Sequence, residues 1–230
     1  MLLMEDVRKV YRAEQVETIA LQSINIEIDQ GEFVAVMGPS GCGKSTLLNI
    51  MGLLDGPSGG RYWFKGTDVS DCNEQDLAKV RKHHIGFIFQ NFNLIDELTV
   101  AENIAMALRY HRISRRQTRR RVAEAMEQLA LSHRADHRPP HLSGGQQQMV
   151  AVARAIVARQ SLILADEPTG NLDSGHGQMV MQTLRDLNEQ GTTIVMVTHS
   201  AAHADHARRT IHLFDGAVVA ERVRGRPHFS

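Results

Sequence analysis

The stretch GPSGCGKST, residues 38–46, constrains the fold more than any other part of the sequence. It follows the apolar run FVAVMG and precedes the helix-patterned segment STLLNIMGLL. A buried strand, a glycine-rich loop and a helix in this order form a cradle, in which backbone N–H groups and the positive end of the helix dipole face a phosphate. This context favours a nucleotide phosphate loop over a glycine-rich turn that binds nothing.

The residues of this loop have separate expected roles. Its glycines let the backbone bend tightly around an anion. The charge of Lys44 is placed for the β- and γ-phosphates, and the hydroxyl of Ser45 is placed for Mg²⁺. The residues predicted to contact the nucleotide here are Gly38, Pro39, Ser40, Gly41, Cys42, Gly43, Lys44, Ser45 and Thr46.

Two consecutive carboxylates end a second apolar run, LILADEP at residues 162–168. Successive side chains of a strand point to opposite sides, so Asp166 and Glu167 need not do the same job. Asp166, beside the phosphate loop, fits Mg²⁺ coordination directly or through water. Glu167 is free to deprotonate a water that attacks the γ-phosphate, a role worth about 10²- to 10⁴-fold in rate. The alternative is an ordinary pair of surface carboxylates at a strand end.

Charge and cysteine content exclude some functions. Lys+Arg and Asp+Glu both total 26, so no net positive field draws the chain onto nucleic acid or anionic membrane, and any such contact must be local. Cys42 and Cys72 form no disulfide framework, which favours a reducing compartment. No apolar run approaches the roughly 20 residues that span a bilayer, and the N-terminus lacks a secretory signal. We expect other chains to cross any membrane that is involved.

The pattern along the chain predicts an α/β fold. Residues 1–30 alternate apolar and polar, which is typical of antiparallel strands, whereas the continuous apolar runs are typical of a parallel sheet. The strand pattern then disappears between Gln90 and Ser161, which predicts a helical subdomain inserted into the sheet domain. The predicted strands of the sheet are 33–38, 85–90, 161–166 and 192–198. The predicted helices are near 99–110, 114–130 and 146–159, and a break at 138–141 separates the last two.

A second glycine-rich helix start lies about a hundred residues after the first, in HLSGGQQQMVAVARA at 141–155. Ser143 is a suitable N-cap, Gly144 and Gly145 expose bare backbone, and Gln146 opens an amphipathic helix. Free N–H groups and the helix dipole make this start another anion site. Two such starts suggest a nucleotide gripped from two sides, and spacing alone leaves open whether one chain supplies both.

Four ordered motifs resemble those of the ATP-binding subunit of an ABC transporter: GPSGCGKST, LSGGQ at 142–146, LILADEP and VTHS at 197–200. The resemblance covers about residues 2–222. It implies a P-loop NTPase fold, an ATPase activity and the cofactors ATP and Mg²⁺. It also implies a homodimer, in which the LSGGQ loop of one subunit closes over the nucleotide on the phosphate loop of the other.

The resemblance also implies a division of the chain and further site residues. A single ABC ATPase domain would span 1–222, with the catalytic core and β subdomain in 1–90 and 160–222, a helical signature subdomain in 91–159, and a flexible basic tail at 223–230. Tyr11 would stack on adenine, unless it is a half-buried strand tyrosine. Gln90 would reach Mg²⁺ and the attacking water, unless it is a plain polar strand end. Asp173 would cross the dimer interface, and His199 would contact the γ-phosphate.

Within the family, GLLDGPSGG, NFNLIDELTVAENI and LSGGQQQ...ADEPTGNLDS are similar to the LolD/MacB branch. That branch drives membrane subunits in lipoprotein release and in macrolide or peptide export. The resemblance implies integral membrane permease partners of the MacB, LolC/LolE or FtsX kind, no nucleic acid, and a place on the cytoplasmic face of the inner membrane. One departure is Met149, where the branch usually has an arginine, so a charge near the signature helix is missing.

Two other functions are alternatives to this one. A soluble ABC protein of translation or DNA repair usually carries two ATPase domains or long insertions, which do not fit 230 residues. A regulatory nucleotide sensor would lack the catalytic base, yet Glu167 is present. The basic run 111–121 could touch lipid headgroups or acidic loops of a partner, although such a run is more typical of a solvated helix face.

Overall fold

The computed structural model describes residues 1–13 and 16–223, so the predicted basic tail lies outside the described residues from 224 onward. The strands are β1 (Leu2–Ala13), β2 (Val16–Ile28), β3 (Phe33–Met37), β4 (Gly59–Phe64), β5 (Thr67–Asp68), β6 (Ile85–Ile88), β7 (Leu162–Asp166), β8 (Thr193–Val197), β9 (Arg209–Phe214) and β10 (Ala217–Val223). The α-helices are α1 (Lys44–Met51), α2 (Glu74–His84), α3 (Val100–Ala105), α4 (Arg115–Gln128), α5 (Gly144–Ile156), α6 (Ser174–Glu189) and α7 (Ala201–Ala204). None of these helices is long and apolar enough to cross a bilayer.

The strands form two sheets. The first is antiparallel, with the order β2-β1-β4-β5, and the second is mixed, with the order β10-β9-β3-β8-β7-β6. In the second sheet β3, β6, β7, β8 and β9 run parallel to one another, and β10 pairs antiparallel with β9. The α/β fold class with a mixed core sheet, an antiparallel N-terminal part and helical insertions is therefore confirmed.

The parallel strands bring their carboxyl ends to one edge of the mixed sheet. Val36 of β3 pairs with Val197 of β8, which in turn pairs with Asp166 of β7. The segments that follow these three strands therefore begin side by side at the carboxyl edge of the sheet. In open α/β sheets this edge is where ligands bind.

The described chain between β6 and β7 contains helices and loops but no strand. Helices α3, α4 and α5 pack on one another, and the predicted helix near 99–110 is divided into α3 and a 3₁₀ turn at Met106–Leu108. The proline-containing break forms a 3₁₀ helix at Pro139–His141. Helix α5 begins at Gly144, two residues earlier than predicted, because Ser143 caps it.

Two hydrophobic cores cover the two faces of the mixed sheet. One lies against α3–α6, and the other lies against α1 and the antiparallel sheet. Met149 belongs to the first core and is 1% exposed. At this position the chain therefore carries an apolar side chain that packs in the interior, where the branch usually has an arginine.

Candidate functional site

The phosphate loop needs glycine at its two ends. A Cβ on Gly38 would lie 2.1 Å from the carbonyl oxygen of Leu213, which is far inside van der Waals contact. Gly43, the residue before α1, has φ 98° in the left-handed region, and a Cβ there would lie 2.4 Å from the carbonyl oxygen of Ala20. Any other residue would push β2 or β9 away from the loop.

Lys44 begins α1 and points back along the loop. Its side chain is buried, and Nζ donates hydrogen bonds to the carbonyl oxygens of Gly38 at 2.9 Å and Pro39 at 2.7 Å. These bonds hold the ammonium group inside the curve of the loop, next to the N-terminal turn of the helix. The charge of Lys44 and the dipole of α1 therefore both favour an anion inside the curve of the loop.

Ser45 and Asp166, two of the three residues predicted to hold Mg²⁺, are in contact. The Ser45 hydroxyl donates to Oδ2 of Asp166 at 2.9 Å. Burial raises the pKa of Asp166, and the nearby charge of Glu167 raises it further, against the lowering effects of Ser45 and Lys44. A hydroxyl and a carboxylate at this separation suit Mg²⁺, which prefers oxygen ligands and usually takes only one or two carboxylates together with substrate phosphates. No group of three His, Cys, Asp or Glu side chains in the described chain gathers as a metal site.

Glu167 and His199 form a pair beside this position. Nδ1 of His199 lies 2.8 Å from Oε2 of Glu167, whose side chain is largely buried. Glu167 has φ 45°, an uncommon value for a residue with a side chain, and its N–H donates to the carbonyl oxygen of Val197 at 3.0 Å. This bond fixes the turn after β7 against the end of β8, so both residues are positioned by adjacent strands.

One open cavity of about 440 Å³ joins these groups. Residues from β2 also line the cavity. They carry no clear sequence signal, because Ile19 looks like one more exposed apolar residue in an alternating strand. The predicted residues on the cavity wall are Gly38, Ser40, Gly41, Gly43, Lys44, Ser45, Thr46, Gln90, Asp166, Glu167 and His199. Pro39 and Cys42 are part of the loop but do not line the cavity, and Cys42 is buried.

Tyr11 lies near the loop but outside the lining of this cavity. Its hydroxyl donates to Oδ2 of Asp55 at 2.9 Å, and Nζ of Lys9 lies 4.9 Å from the centre of its ring. Burial and the hydrogen bond to Asp55 raise the pKa of Tyr11, and a hydrogen bond with Thr46 lowers it. The ring is 43% exposed and is held by its hydroxyl next to the C-terminal end of the phosphate loop.

The second glycine-rich helix start is capped by Ser143 as predicted, but its residues do not line the cavity. Ser143 Oγ accepts from the N–H of Gln146 at 3.3 Å, and the Gln146 side chain accepts from the N–H of Ser143 at 3.1 Å. This reciprocal pair is a capping box. The residues predicted to act from this side, none of which lines the cavity of the same chain, are Ser143, Gly144, Gly145, Gln146 and Asp173.

Asp173 caps the next helix. Its Oδ1 accepts from the N–H of His176 at 3.0 Å, and its Oδ2 lies 2.5 Å from Nδ1 of the same histidine. These contacts lower the pKa of Asp173, with the backbone hydrogen bond from His176 as the largest cause. A Cβ on Gly145 would lie 3.7 Å from Nδ1 of His176, so α5 and α6 begin close to each other.

Arg154 is a structural link that the sequence did not reveal. It extends from α5 to the loop after Gln90, where it donates to the carbonyl oxygen of Phe92 at 2.8 Å and to that of Asn93. Burial lowers its pKa. Asn171 donates to the carbonyl oxygen of Gln90 at 3.3 Å from the other side. The loop that carries Gln90 is therefore tied both to the signature helix and to the segment before α6.

Comparison with known proteins identifies the family. A model of the ABC transporter family matches residues 21–170. The chain is 47% identical over 219 residues to the uncharacterized ABC transporter ATP-binding protein MJ1508 of Methanocaldococcus jannaschii, covering 95% of this chain and 98% of that protein. It is 44% identical over 228 residues to the macrolide export ATP-binding/permease protein MacB of Burkholderia pseudomallei, covering 99% of this chain and 35% of that protein.

A solved structure agrees with these matches. A dimeric, post-hydrolysis form of the ATP-binding cassette MJ0796, bound to ADP and Pi, superposes with a TM-score of 0.93 at 43% identity, covering 98% of this chain and 100% of that chain. The chain therefore belongs to the ABC transporter family, as an ATP-binding and ATP-hydrolysing subunit.

Proposed function

We propose that this chain hydrolyses ATP as one half of a homodimer that closes around two nucleotides, and that closure drives an integral membrane permease in export or envelope transport. The observation that carries the proposal is the separation of the two glycine-rich helix starts. One forms the cavity with Lys44, Asp166 and Glu167, and the residues of the other do not line that cavity on the same chain. Two copies arranged head to tail would bring each second start onto the partner's nucleotide.

In this mechanism the phosphate loop holds the β- and γ-phosphates. Lys44 exchanges its bonds to the carbonyl oxygens of Gly38 and Pro39 for phosphate oxygens, which keeps a buried ammonium group paired at each stage. Tyr11 offers an exposed ring for adenine at the end of the loop. Ser45 and Asp166, with Gln90 on the same wall, would hold Mg²⁺, which when bound neutralises charge on the phosphates.

Glu167 takes the proton of the attacking water. Its contact with His199 orients the carboxylate, and the histidine lies where it can donate to the γ-phosphate when the nucleotide is bound. Ser143, Gly144, Gly145 and Gln146 of the partner supply the N-terminal end of α5 to the same phosphate, and the partner's Asp173 acts across the seam. Hydrolysis cleaves the bond between the β- and γ-phosphates, and the γ-phosphate then leaves as inorganic phosphate. The dimer reopens because the anion that both subunits contacted has gone.

A groove beside the loop of Gln90 is the proposed place of permease contact. It has a volume of about 460 Å³, and the stacked rings of Phe87 and Phe89, with centroids 5.2 Å apart, form part of its wall. Arg154 also lines the groove and holds the loop after Gln90, so movement of that loop would be transmitted to a partner bound in the groove. We further propose that residues 91–159 act as the helical subdomain against a core of 1–90 and 160–222.

The LolD/MacB branch is the proposed place within the family. Identity of 44% to MacB, a protein whose name combines ATP-binding and permease functions, supports it, although the chain covers 35% of that protein. The membrane subunits would be of the MacB, LolC/LolE or FtsX kind, and the ATPase would sit on the cytoplasmic face of the inner membrane. Cargo contacts would belong to those subunits.

Glu167→Gln tests the chemistry and the dimer together. We expect ATP turnover to fall by about 10²- to 10⁴-fold, the usual contribution of a general base, while ATP-dependent dimerisation becomes stronger. Light scattering with and without ATP would measure the assembly. Turnover near that of the wild type would remove Glu167 as the base, and a variant that stays monomeric with ATP at high protein concentration would contradict the shared site.

Co-purification from detergent-solubilised membranes tests the partner. An integral membrane protein should accompany the chain and should be lost when the groove is altered by Phe89→Glu. The matched change Phe214→Glu alters an exposed aromatic residue at the far end of β9 and should retain the partner. Recovery of ribosomes or DNA in place of a membrane protein would favour a soluble ABC ATPase of translation or DNA repair.

A further inference from the structure

The positive charge of this neutral chain is concentrated at the start of α4. Residues 111–121 contain six arginines and no carboxylate. Helix α4 begins at Arg115, and its first turn has no acidic residue. Because the N-terminal end of a helix is the positive end of its dipole, cations there are unfavourable unless an anion lies close to them.

The protein itself supplies little compensation for these charges. Of the six arginines, Arg120 alone forms an ion pair with any described carboxylate, that of Glu124 at 3.3 Å. Glu124 is also shared with Arg159 at 3.0 Å. The five without a described carboxylate partner are Arg112, Arg115, Arg116, Arg119 and Arg121.

The end of α2 extends the same surface. The rings of His83 and His111 meet edge to face, with centroids 5.5 Å apart. The pKa of His111 is lowered first by burial and then by the charges of His83, Lys82 and Arg121, so cations surround this ring. Nearby carboxylates of α2 are already engaged, since Glu74 pairs with Arg81 and Asp76 pairs with Lys79. We call the cationic set around His111 the basic surface: Lys82, His83, Arg112, Arg115, Arg116, Arg119 and Arg121.

The basic surface borders the groove described above. Lys82 lines that groove and also lies beside His111, and Tyr110, which precedes His111, is a groove residue that is 70% exposed. A permease segment that occupies the groove must come from the membrane. The rim of the groove would then face the bilayer, so this step rests on the proposed function.

We propose that the basic surface binds the phosphate groups of anionic membrane lipids next to the permease. Arginine side chains form forked hydrogen bonds with phosphate oxygens, and several on one short helix suit a layer of headgroups better than a single buried ligand. Each arginine near an anionic lipid surface strengthens binding about fivefold, so three of them contribute about 100-fold. Binding should weaken with salt, because the arginines at 112, 115, 116 and 119 are exposed and their charges are screened over about 8 Å at physiological ionic strength.

Vesicle flotation tests the proposal without a permease. The probes are phosphatidylcholine vesicles with and without about one-third phosphatidylglycerol, a composition that gives a negative surface potential. We expect the wild-type chain to float with the anionic vesicles alone. The variant R115Q/R116Q/R119Q should bind them about 100-fold more weakly, with an unchanged ATPase rate and no loss of thermal stability, since it removes cations from a helix N-terminus.

The sequence offers a matched control in its C-terminal arginines. The variant R222Q/R224Q/R226Q makes the same change in charge and should float like the wild type. Equal weakening by both variants would mean that net charge alone governs binding, and undiminished binding by the α4 variant would equally overturn the proposal. An α4 variant that floats normally but loses the membrane protein would show a protein-binding surface instead.

The two proposals can fail separately. A chain that floats through α4 but co-purifies with no membrane protein would contradict the proposed function and leave the lipid-binding surface standing. A chain that co-purifies with a permease but does not float would overturn the lipid proposal alone.

Discussion

Ser143 has two expected roles, and the molecule contains a control that separates them. It caps α5 through a capping box with Gln146, and we propose that it also binds the partner's nucleotide. Ser114 caps α4 in the same way, with Gln117 in place of Gln146. The Oγ to N distances are 3.3 Å for Ser143 and 3.2 Å for Ser114, the helices have 13 and 14 residues, and both serines are exposed.

The two changes Ser143→Ala and Ser114→Ala should therefore destabilise the isolated chain equally. Loss of an N-cap costs about 1 kcal/mol, which lowers Tm by about 2–4 °C in a protein of this size. Against a typical stability of about 5–15 kcal/mol, this loss leaves almost all of the protein folded. Neither variant should lose activity through unfolding.

Function should separate the two variants. A hydrogen bond to a charged phosphate is worth about 1.5–3 kcal/mol, so Ser143→Ala should raise the ATP concentration needed for dimerisation by about 10- to 150-fold, while Ser114→Ala leaves it unchanged. Thermal melting without nucleotide and light scattering against ATP concentration measure the two effects. If both variants dimerise alike, Ser143 is only a helix cap. If Ser143→Ala melts far below Ser114→Ala, the functional comparison no longer isolates the phosphate contact.

Three further predictions concern residues within one subunit. The raised pKa of Asp166 means that the folded state binds this proton more tightly than the unfolded state, so the residue should lower stability as pH rises through its folded pKa. Asp166→Asn should therefore melt higher than the wild type at pH 7 without nucleotide, and a lower melting temperature would refute this reasoning. The same variant should lose on the order of 100-fold or more in Mg²⁺-dependent ATPase rate. Arg154→Met should speed hydrogen exchange in residues 91–94 by at least about 10-fold, since each of the two charged hydrogen bonds that it removes is worth about 1.5–3 kcal/mol. Unchanged exchange would mean that the loop is held by other contacts. Tyr11→Ala should weaken ATP binding in calorimetry by about 5- to 150-fold, whereas Tyr11→Phe keeps the ring and should bind normally; equal affinity of Tyr11→Ala and wild type would favour the plain strand tyrosine.

The local parts of the site were predictable because each follows from a short pattern. The phosphate loop, the acidic strand end and the cap of α5 depend on residues within a few positions of one another. The pairing of Glu167 with His199 depends on two strands being neighbours, which the resemblance implies but the spacing does not. Arg154 could not be assigned, because its carbonyl partners lie about sixty residues earlier and an arginine in a helix usually faces water.

Two further elements carry a local sequence signal. The strands β9 and β10 are joined by Asp215 and Gly216, both with positive φ, and a two-residue Asp-Gly loop between alternating segments is a strong hairpin signal. Helix α2 begins after Asn73, which accepts from the N–H of Asp76 in the manner of an N-cap. The strand β4 was harder to predict, because it begins with two glycines, which are depleted in strands.

In the proposed mechanism, the positions of the two glycine-rich helix starts also imply that nucleotide binding precedes dimer closure. The groups that would contact the triphosphate in the proposed mechanism are already assembled in one subunit, with Lys44 buried and bonded inside the loop and Ser45 in contact with Asp166. Nucleotide binding to a single subunit therefore requires no partner. Closure requires a second subunit, because Ser143 lies outside that cavity. Affinity for ADP, which lacks the phosphate that the partner contacts, should thus be independent of protein concentration, whereas apparent affinity for ATP in the Glu167→Gln variant should rise with it. An ATP affinity that stays constant over a wide range of protein concentration would mean that closure adds no contact to the nucleotide.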